Sequence, residues 1–414
     1  MLLRRRTFLE AFVTSVLVAS RPAGARVPAE DPQSPHGPVP FRIRVPDADL
    51  ADLRERLART RWADSPPRPG WDYGADPDVM RALAARWQRG FDWRAREARL
   101  NRFPQFVVEV DDQKIHFVHV RGKGPSPRPL IITHGWPSSF AEFEAIIPLL
   151  TDPGAHGGDP ADAFDVVAPS LPGFGFSSSP AKPGLASAAV ADLWAALMAD
   201  RLGYGRFFAH GGDIGAGVTT RLGRRHPDKT IAIHTMAVPP LYGRETPDLT
   251  EAERAWLDVI DRWEREEGAY EHLQRTRPQT LAYGLEDSPV GLAAWIVEKW
   301  RNWSDCGGDV LSKFSADDLL TTVSIYWFTR TIAPSIRMYW ESAHLKEAGL
   351  LEKVRVPARV FLTREEVNLC PESYAARVYA DLSYGLAPRG GHFMAGEEPE
   401  LLAADLRSYF RRFR

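Results

Sequence analysis

A carboxylate set among glycines stands at Gly211-Gly212-Asp213-Ile214-Gly215, directly after the run Phe207-Phe208-Ala209-His210. Small-x-acid-x-small between a strand and a helix is the sequence form of a nucleophile elbow. The glycines are needed because the turn is tight and a side chain there would clash. The apex residue is Asp213 rather than Ser or Cys. A carboxylate is already ionised at neutral pH and needs no base to attack. It suits displacement at an sp³ carbon, which leaves a covalent ester. Taken alone, the same residues also describe a Gly-rich turn with Asp213 as a helix N-cap.

Two other stretches complete a possible constellation. The apolar run Leu130–Thr133 leads into His134-Gly135-Trp136-Pro137. In this kind of site that loop supplies backbone N–H groups, so the N–H groups of Trp136 and Ile214 are the expected oxyanion hole. The ring of His134 reads as a packed loop histidine. Near the end, Arg389-Gly390-Gly391-His392-Phe393 follows a strand-like segment. A histidine directly after two glycines on a loop above a sheet suits a general base. Before it, the strand-like Ala358–Leu362 is followed by Arg364-Glu365-Glu366, and one of these acids can orient the imidazole. The chain order nucleophile, acid, base is that of hydrolases built on this strand–elbow–helix plan.

The elements that must position these residues follow from periodicity. Phe106–Val110 and Ile115–Arg121 read as a hairpin. Phe164–Ala168 and Ile231–Ile233 are short buried strands, and Ala186–Leu202 and Val218–His226 are helical. Strands alternating with helices imply a largely parallel sheet. Residues 106–240 and 354–414 therefore form an α/β core. Residues 241–353 lose the strand signal and read as a helical lid, with helices over Glu251–Glu267, Gly291–Trp300 and Leu345–Val354. Pro399–Phe413 is a closing helix. Residues 41–105 carry two helices, one from Pro46 onward and one over Pro77–Phe91, joined by an aromatic-rich loop at 61–75. That segment is too small to bury a core, so it should wrap around something larger.

Composition bounds the rest. The 414 residues are 44% hydrophobic and 26% charged, the balance of a globular chain with ample core. The net charge of −2 gives no footprint for nucleic acid or an anionic membrane. No apolar run reaches 18 residues, so no permanent membrane span is expected. The two cysteines, Cys306 and Cys370, are too few for a disulfide scaffold or a cysteine-ligated zinc site. They are either two buried thiols or one bridge. Residues 1–25 read as a leader: Arg4-Arg5-Arg6-Thr7-Phe8-Leu9-Glu10, a mild apolar run, then Ala23-Gly24-Ala25. This is similar to a twin-arginine signal and predicts export to the periplasm; the alternative is a basic start to a cytoplasmic chain. Residues 26–40 read as a linker.

From Pro40 onward the sequence resembles the microsomal-type epoxide hydrolases, including the juvenile-hormone epoxide hydrolases. The resemblance rests on Pro169-Ser170-Leu171-Pro172-Gly173-Phe174-Gly175-Phe176-Ser177, on Asp287-Ser288-Pro289-Val290-Gly291-Leu292-Ala293-Ala294-Trp295 and on Arg389-Gly390-Gly391-His392-Phe393. It implies the α/β-hydrolase fold, with a mostly parallel central sheet, a helical lid insertion and an N-terminal wrapping segment. It implies an apolar epoxide and water as substrates, a vicinal diol as product, and neither metal nor organic cofactor. Through Gly268-Ala269-Tyr270-Glu271-His272-Leu273-Gln274 and Ser335-Ile336-Arg337-Met338-Tyr339-Trp340-Glu341 it implies Tyr270 and Tyr339 as the epoxide-activating pair. It selects Glu366 as the orienting acid, with Glu365 second. A haloalkane-type dehalogenase is the rival reading, but such enzymes usually place Trp after the nucleophile, where Ile214 stands here. A non-catalytic ligand-binding homologue is a third. Oligomeric state is left open.

Overall fold

The computed structural model describes residues 37–365 and 369–414. The leader, its Ala23-Gly24-Ala25 site and Glu366 lie outside the described residues. One nine-stranded sheet organises the described chain. Its strands are β1 (Val39–Phe41), β2 (Gln105–Val110), β3 (Gln113–Val120), β4 (Arg128–Thr133), β5 (Phe164–Pro169), β6 (Phe207–Gly211), β7 (Thr230–Thr235), β8 (Ala358–Leu362) and β9 (Leu382–Leu386). The spatial order is β1-β2-β3-β5-β4-β6-β7-β8-β9. Pairing is antiparallel from β1 through β3 to β5 and parallel from β5 to β9.

Every residue of β5 and of β6 is buried. Parallel strands are normally covered on both faces, which is why these segments read as mainly small or apolar runs, broken only by Asp165 and His210. The register pairs Thr133 with Gly211, so β4 and β6 end side by side. Their following loops, the Trp136 loop and the Asp213 turn, therefore emerge together at the carboxyl end of the sheet, where open α/β folds place their sites.

Several expectations need correction. Val39–Phe41 is an edge strand on β2, so the linker ends earlier than residue 40. The helix after β6 begins at Asp213, not Val218. Its glycines read locally as loop, and packing against β4 overrides that weak propensity. Leu345–Val354 is not helical. Leu345 and Leu351 are exposed and Val354 is buried in an extended bridge to Tyr379, so the segment offers no continuous apolar face that a helix could bury. The second core helix, Ser187–Ala196, passes into a π-helical turn at Leu197–Arg201.

The lid lies between β7 and β8. Beyond Glu251–Glu266 and Pro289–Trp303 it contains helices Ala269–Thr276, Pro278–Asp287, Ala316–Thr329 and Ile332–His344, which periodicity did not single out. Ala316–Thr329 is buried almost all round, which erases the amphipathic stripe. Local caps set the starts: Thr250 and Glu253 form a reciprocal capping box, and Ser288 caps a helix with Pro289 at its first position.

The N-terminal segment wraps the lid. Trp87 Nε1 donates to Ser324 Oγ at 2.9 Å, and Arg86 pairs with Asp317 at 2.7 Å. A third helix, Trp93–Leu100, adds to this contact through Arg96 Nε, 2.7 Å from Thr321 Oγ1. Both cysteines are free and buried, so the thiol alternative holds.

Candidate active site

Asp213 has φ +49°, the left-handed region that a non-glycine residue rarely adopts. Such a conformation costs about 1–3 kcal/mol and persists only where the surroundings impose it. Here they do. A Cβ on Gly215 would lie 2.0 Å from the Thr133 carbonyl oxygen, and one on Gly211 would lie 2.2 Å from the Gly215 carbonyl. The elbow helix is thus pressed against β4 with no room for side chains. A Cβ on Gly135 would lie 2.2 Å from Asp213 Oδ1, so that glycine is the space the carboxylate occupies. Trp136 N donates to Asp213 Oδ1 at 2.8 Å. Ile214 sits next in the elbow helix and lines the same pocket as Asp213.

His392 comes from the loop after β9. Its Nε2 is 3.7 Å from Asp213 Oδ2, and the two side chains are 14% and 20% exposed. The loop is staked from below by Glu397, which sequence reasoning missed. That carboxylate accepts from Gly391 N and Phe393 N, each at 2.9 Å, and from Asp305 N at 2.8 Å. Burial pushes the Glu397 carboxyl up, and the backbone donors oppose that shift. His392 N also donates to the Trp303 carbonyl at 2.8 Å, and the Trp303 ring lies 5.0 Å from the imidazole. Trp303 becomes a neighbour of His392 only in the folded chain, and Glu397, though near in sequence, is a single acid whose spacing marks no role by itself. Of the two candidate acids, Glu365 is solvent-exposed.

Tyr270 on Ala269–Thr276 and Tyr339 on Ile332–His344 face each other with ring centroids 6.1 Å apart. Trp136 joins them to the elbow. Its ring stacks on Tyr270 at 5.4 Å and 6°, and meets Tyr339 edge-on at 5.8 Å. One residue therefore holds the nucleophile with its backbone and both tyrosines with its side chain. Burial, above all, holds the Tyr339 phenol well above its ordinary range, helped by Tyr270, Asp213 and Glu271. The Lys299 ammonium lies 4.9 Å above the Tyr270 ring and pairs with Glu298 at 2.7 Å.

Asp213, Ile214, Tyr270, Tyr339 and His392 line one pocket of about 730 Å³. Val238, Leu241, Ile260, Trp263 and Met338 give it apolar walls. His134 stands apart from the reacting groups. Its Nδ1 is 3.0 Å from the Gly135 carbonyl, its Nε2 accepts from Leu171 N at 3.2 Å, and burial lowers its pKa to about 4. It is the loop-packing histidine expected. Among the described residues, no group of three or more His, Cys, Asp or Glu could hold a metal ion. No helix among them is long and apolar enough to cross a membrane.

A mostly parallel sheet, an elbow aspartate after β6, a histidine after the last strand and an inserted lid define an α/β-hydrolase. The family described as alpha/beta hydrolase fold matches residues 128–297, and the one described as Epoxide hydrolase N terminus matches residues 38–143. The chain is 36% identical to Epoxide hydrolase 1 of Sus scrofa, over 89% of this chain and 88% of the pig protein. The solved Aspergillus niger epoxide hydrolase superposes with a TM-score of 0.80 at 30% identity, over 91% of this chain and 96% of that one. The juvenile hormone epoxide hydrolase of Bombyx mori gives 0.79 at 30% identity, over 92% and 94%. The chain belongs to the epoxide hydrolase family.

Proposed function

We propose that this protein opens an apolar epoxide to a vicinal diol through an alkyl ester on Asp213. The observation that carries the reading is the arrangement of Asp213: Oδ1 held by Trp136 N–H and Oδ2 facing His392 at 3.7 Å, in one pocket with the two lid tyrosines. Asp213 attacks an epoxide carbon, and the C–O bond to the ring oxygen breaks. Tyr270 and Tyr339 hydrogen-bond that oxygen and protonate the alkoxide. His392, oriented by Glu366, then takes a proton from water. The hydroxide adds to the Asp213 carboxyl carbon rather than to the substrate carbon. The N–H groups of Trp136 and Ile214 hold the oxyanion, an effect worth about 3–4 kcal/mol per donor. Collapse releases the diol and restores the carboxylate.

A single turnover of styrene oxide in ¹⁸O-water tests the route. The first diol draws its new oxygen from Asp213, so unlabelled protein gives unlabelled diol in that cycle. Label in the first diol would mean direct attack by water and would end the ester reading.

The tyrosine pair makes a separate prediction. A phenol whose pKa is raised keeps its proton throughout the neutral range, so Tyr339 enters the reaction as a donor. Tyr270→Phe and Tyr339→Phe should each slow alkylation by about 10²-fold or less, and the double change by more than either. Rapid-quench measurement of ester formation reads this directly. Unchanged alkylation in the double variant would remove the pair from the mechanism.

A further inference from the structure

A small second cavity of about 20 Å³ borders the nucleophile. Ser138, Glu142, His210, Gly212, Asp213 and His392 are among the residues on its wall. That is room for one water, and a buried water needs two to four polar partners. Asp213 and His392 are the groups between which the hydrolytic water of the proposed ester route must work. Glu142 is the other carboxyl on this wall.

Glu142 belongs to the short 3₁₀ turn Phe140–Glu144 that follows the Trp136 loop. Its near neighbour Glu144 pairs with Arg99 and Arg102. Among the described residues no Lys or Arg pairs with Glu142. An enclosed carboxyl without a cation is costly, and such groups cluster where chemistry is done. Burial pushes Glu142 up to about 7, with Asp213 and Glu397 adding to the rise, while a Ser138 hydrogen bond and His392 oppose it. Glu142 is half-buried and borders the cavity. His210, on the same wall, is committed elsewhere: its Nδ1 is 3.0 Å from His234 Nδ1, and burial keeps it neutral.

We propose that Glu142 is a positioning residue for the hydrolytic water, accepting a hydrogen bond from the water that His392 deprotonates. The inference rests on the ester route proposed above. One water proton passes to His392 Nε2, and the oxygen bonds to the Asp213 carboxyl carbon. The second hydrogen stays on that oxygen and donates to Glu142. The diol leaves with the proton held by His392. Esterification removes the Asp213 charge, which is one of the groups holding Glu142 protonated. Glu142 thus ionises more readily in the intermediate, when an acceptor is wanted, than in the resting enzyme.

The full chain is assayed with styrene oxide by rapid quench and mass spectrometry, which give ester formation and ester hydrolysis separately. Glu142→Leu should slow hydrolysis about tenfold or more, the loss expected for one hydrogen bond to a charged group, and leave alkylation within about twofold. Ester then accumulates, so kcat and KM fall together and kcat/KM holds. Glu142→Gln, nearly isosteric, keeps an acceptor oxygen but cannot ionise, and should fall between Glu and Leu; it is the reading variant if Leu does not fold. Hydrolysis at the parent rate in the folded variants overturns the proposal. So does an equal loss of alkylation and hydrolysis, which would mark Glu142 as a prop for the elbow. Absence of any ester on Asp213 in the parent protein would instead overturn the route itself.

Discussion

Replacing Asp213 with Asn lowers epoxide turnover by on the order of 10⁴-fold or more, the scale seen when a covalent nucleophile is removed. Asn is the informative change. It tolerates the left-handed region better than Ala, and Asp213 sits there at φ +49°. It also fills the space beside Gly135 that the carboxylate occupies. The expected loss corresponds to about 5 kcal/mol, whereas strain at such a position is about 1–3 kcal/mol. Relief or aggravation of strain therefore cannot imitate the loss of the nucleophile. Steady-state turnover with styrene oxide gives the rate, and a thermal melt checks the fold. In the parent protein, quenched turnover should place the substrate mass on the peptide that carries Asp213. A folded Asp213→Asn protein with parent activity, or an adduct on another peptide, would sink the assignment.

The parts of this site that were legible in the sequence are those whose grammar is local. The elbow is readable because strand, turn and helix are contiguous, and because two of its glycines have a steric cause: Gly215 lies against the Thr133 carbonyl and Gly211 against the Gly215 carbonyl, while Gly212 has room for a side chain. The Trp136 donor was readable because its loop follows the neighbouring strand. Tyr270 and Tyr339 were not readable that way. Each is one aromatic residue on a lid helix, and only resemblance to a family set them apart. The Trp136 ring between them, Glu397 beneath His392 and Glu142 on the small cavity wall carry no sequence signal. The rings that meet Trp136, and the Asp213 and His392 that share the cavity with Glu142, are remote in the chain. Glu397 lies only four and six residues from the Phe393 and Gly391 N–H groups it accepts from, a spacing at which a single acid announces no role. Tertiary packing also explains the elements. Ala316–Thr329 hid because burial on all sides removes the stripe, and Leu345–Val354 misled because its apolar residues make no continuous face that a helix could bury.

His392→Ala should separate the two halves of the reaction. Alkylation draws on Asp213 and the lid tyrosines, and none of those contacts requires a proton on His392. Hydrolysis requires a base beside the ester, and His392 Nε2 lies 3.7 Å from Asp213 Oδ2. Positioned general bases contribute about 10²–10⁴-fold, so ester breakdown should slow by that factor while ester formation stays close to the parent rate. The variant would then take up about one substrate per chain in a burst and hold it, and intact-mass measurement would show the retained adduct. Removing the ring also leaves the Trp303 face beside it uncovered, at a contact now 5.0 Å between centroids. The loop itself should hold, because Glu397 grips Gly391 and Phe393 through their backbones and Trp303 grips His392 through its own. Those anchors survive truncation of the imidazole, so a slow ester step with a normal alkylation step is a statement about the base and not about the fold. Equal slowing of both steps, with no adduct retained, would place His392 outside the role assigned to it.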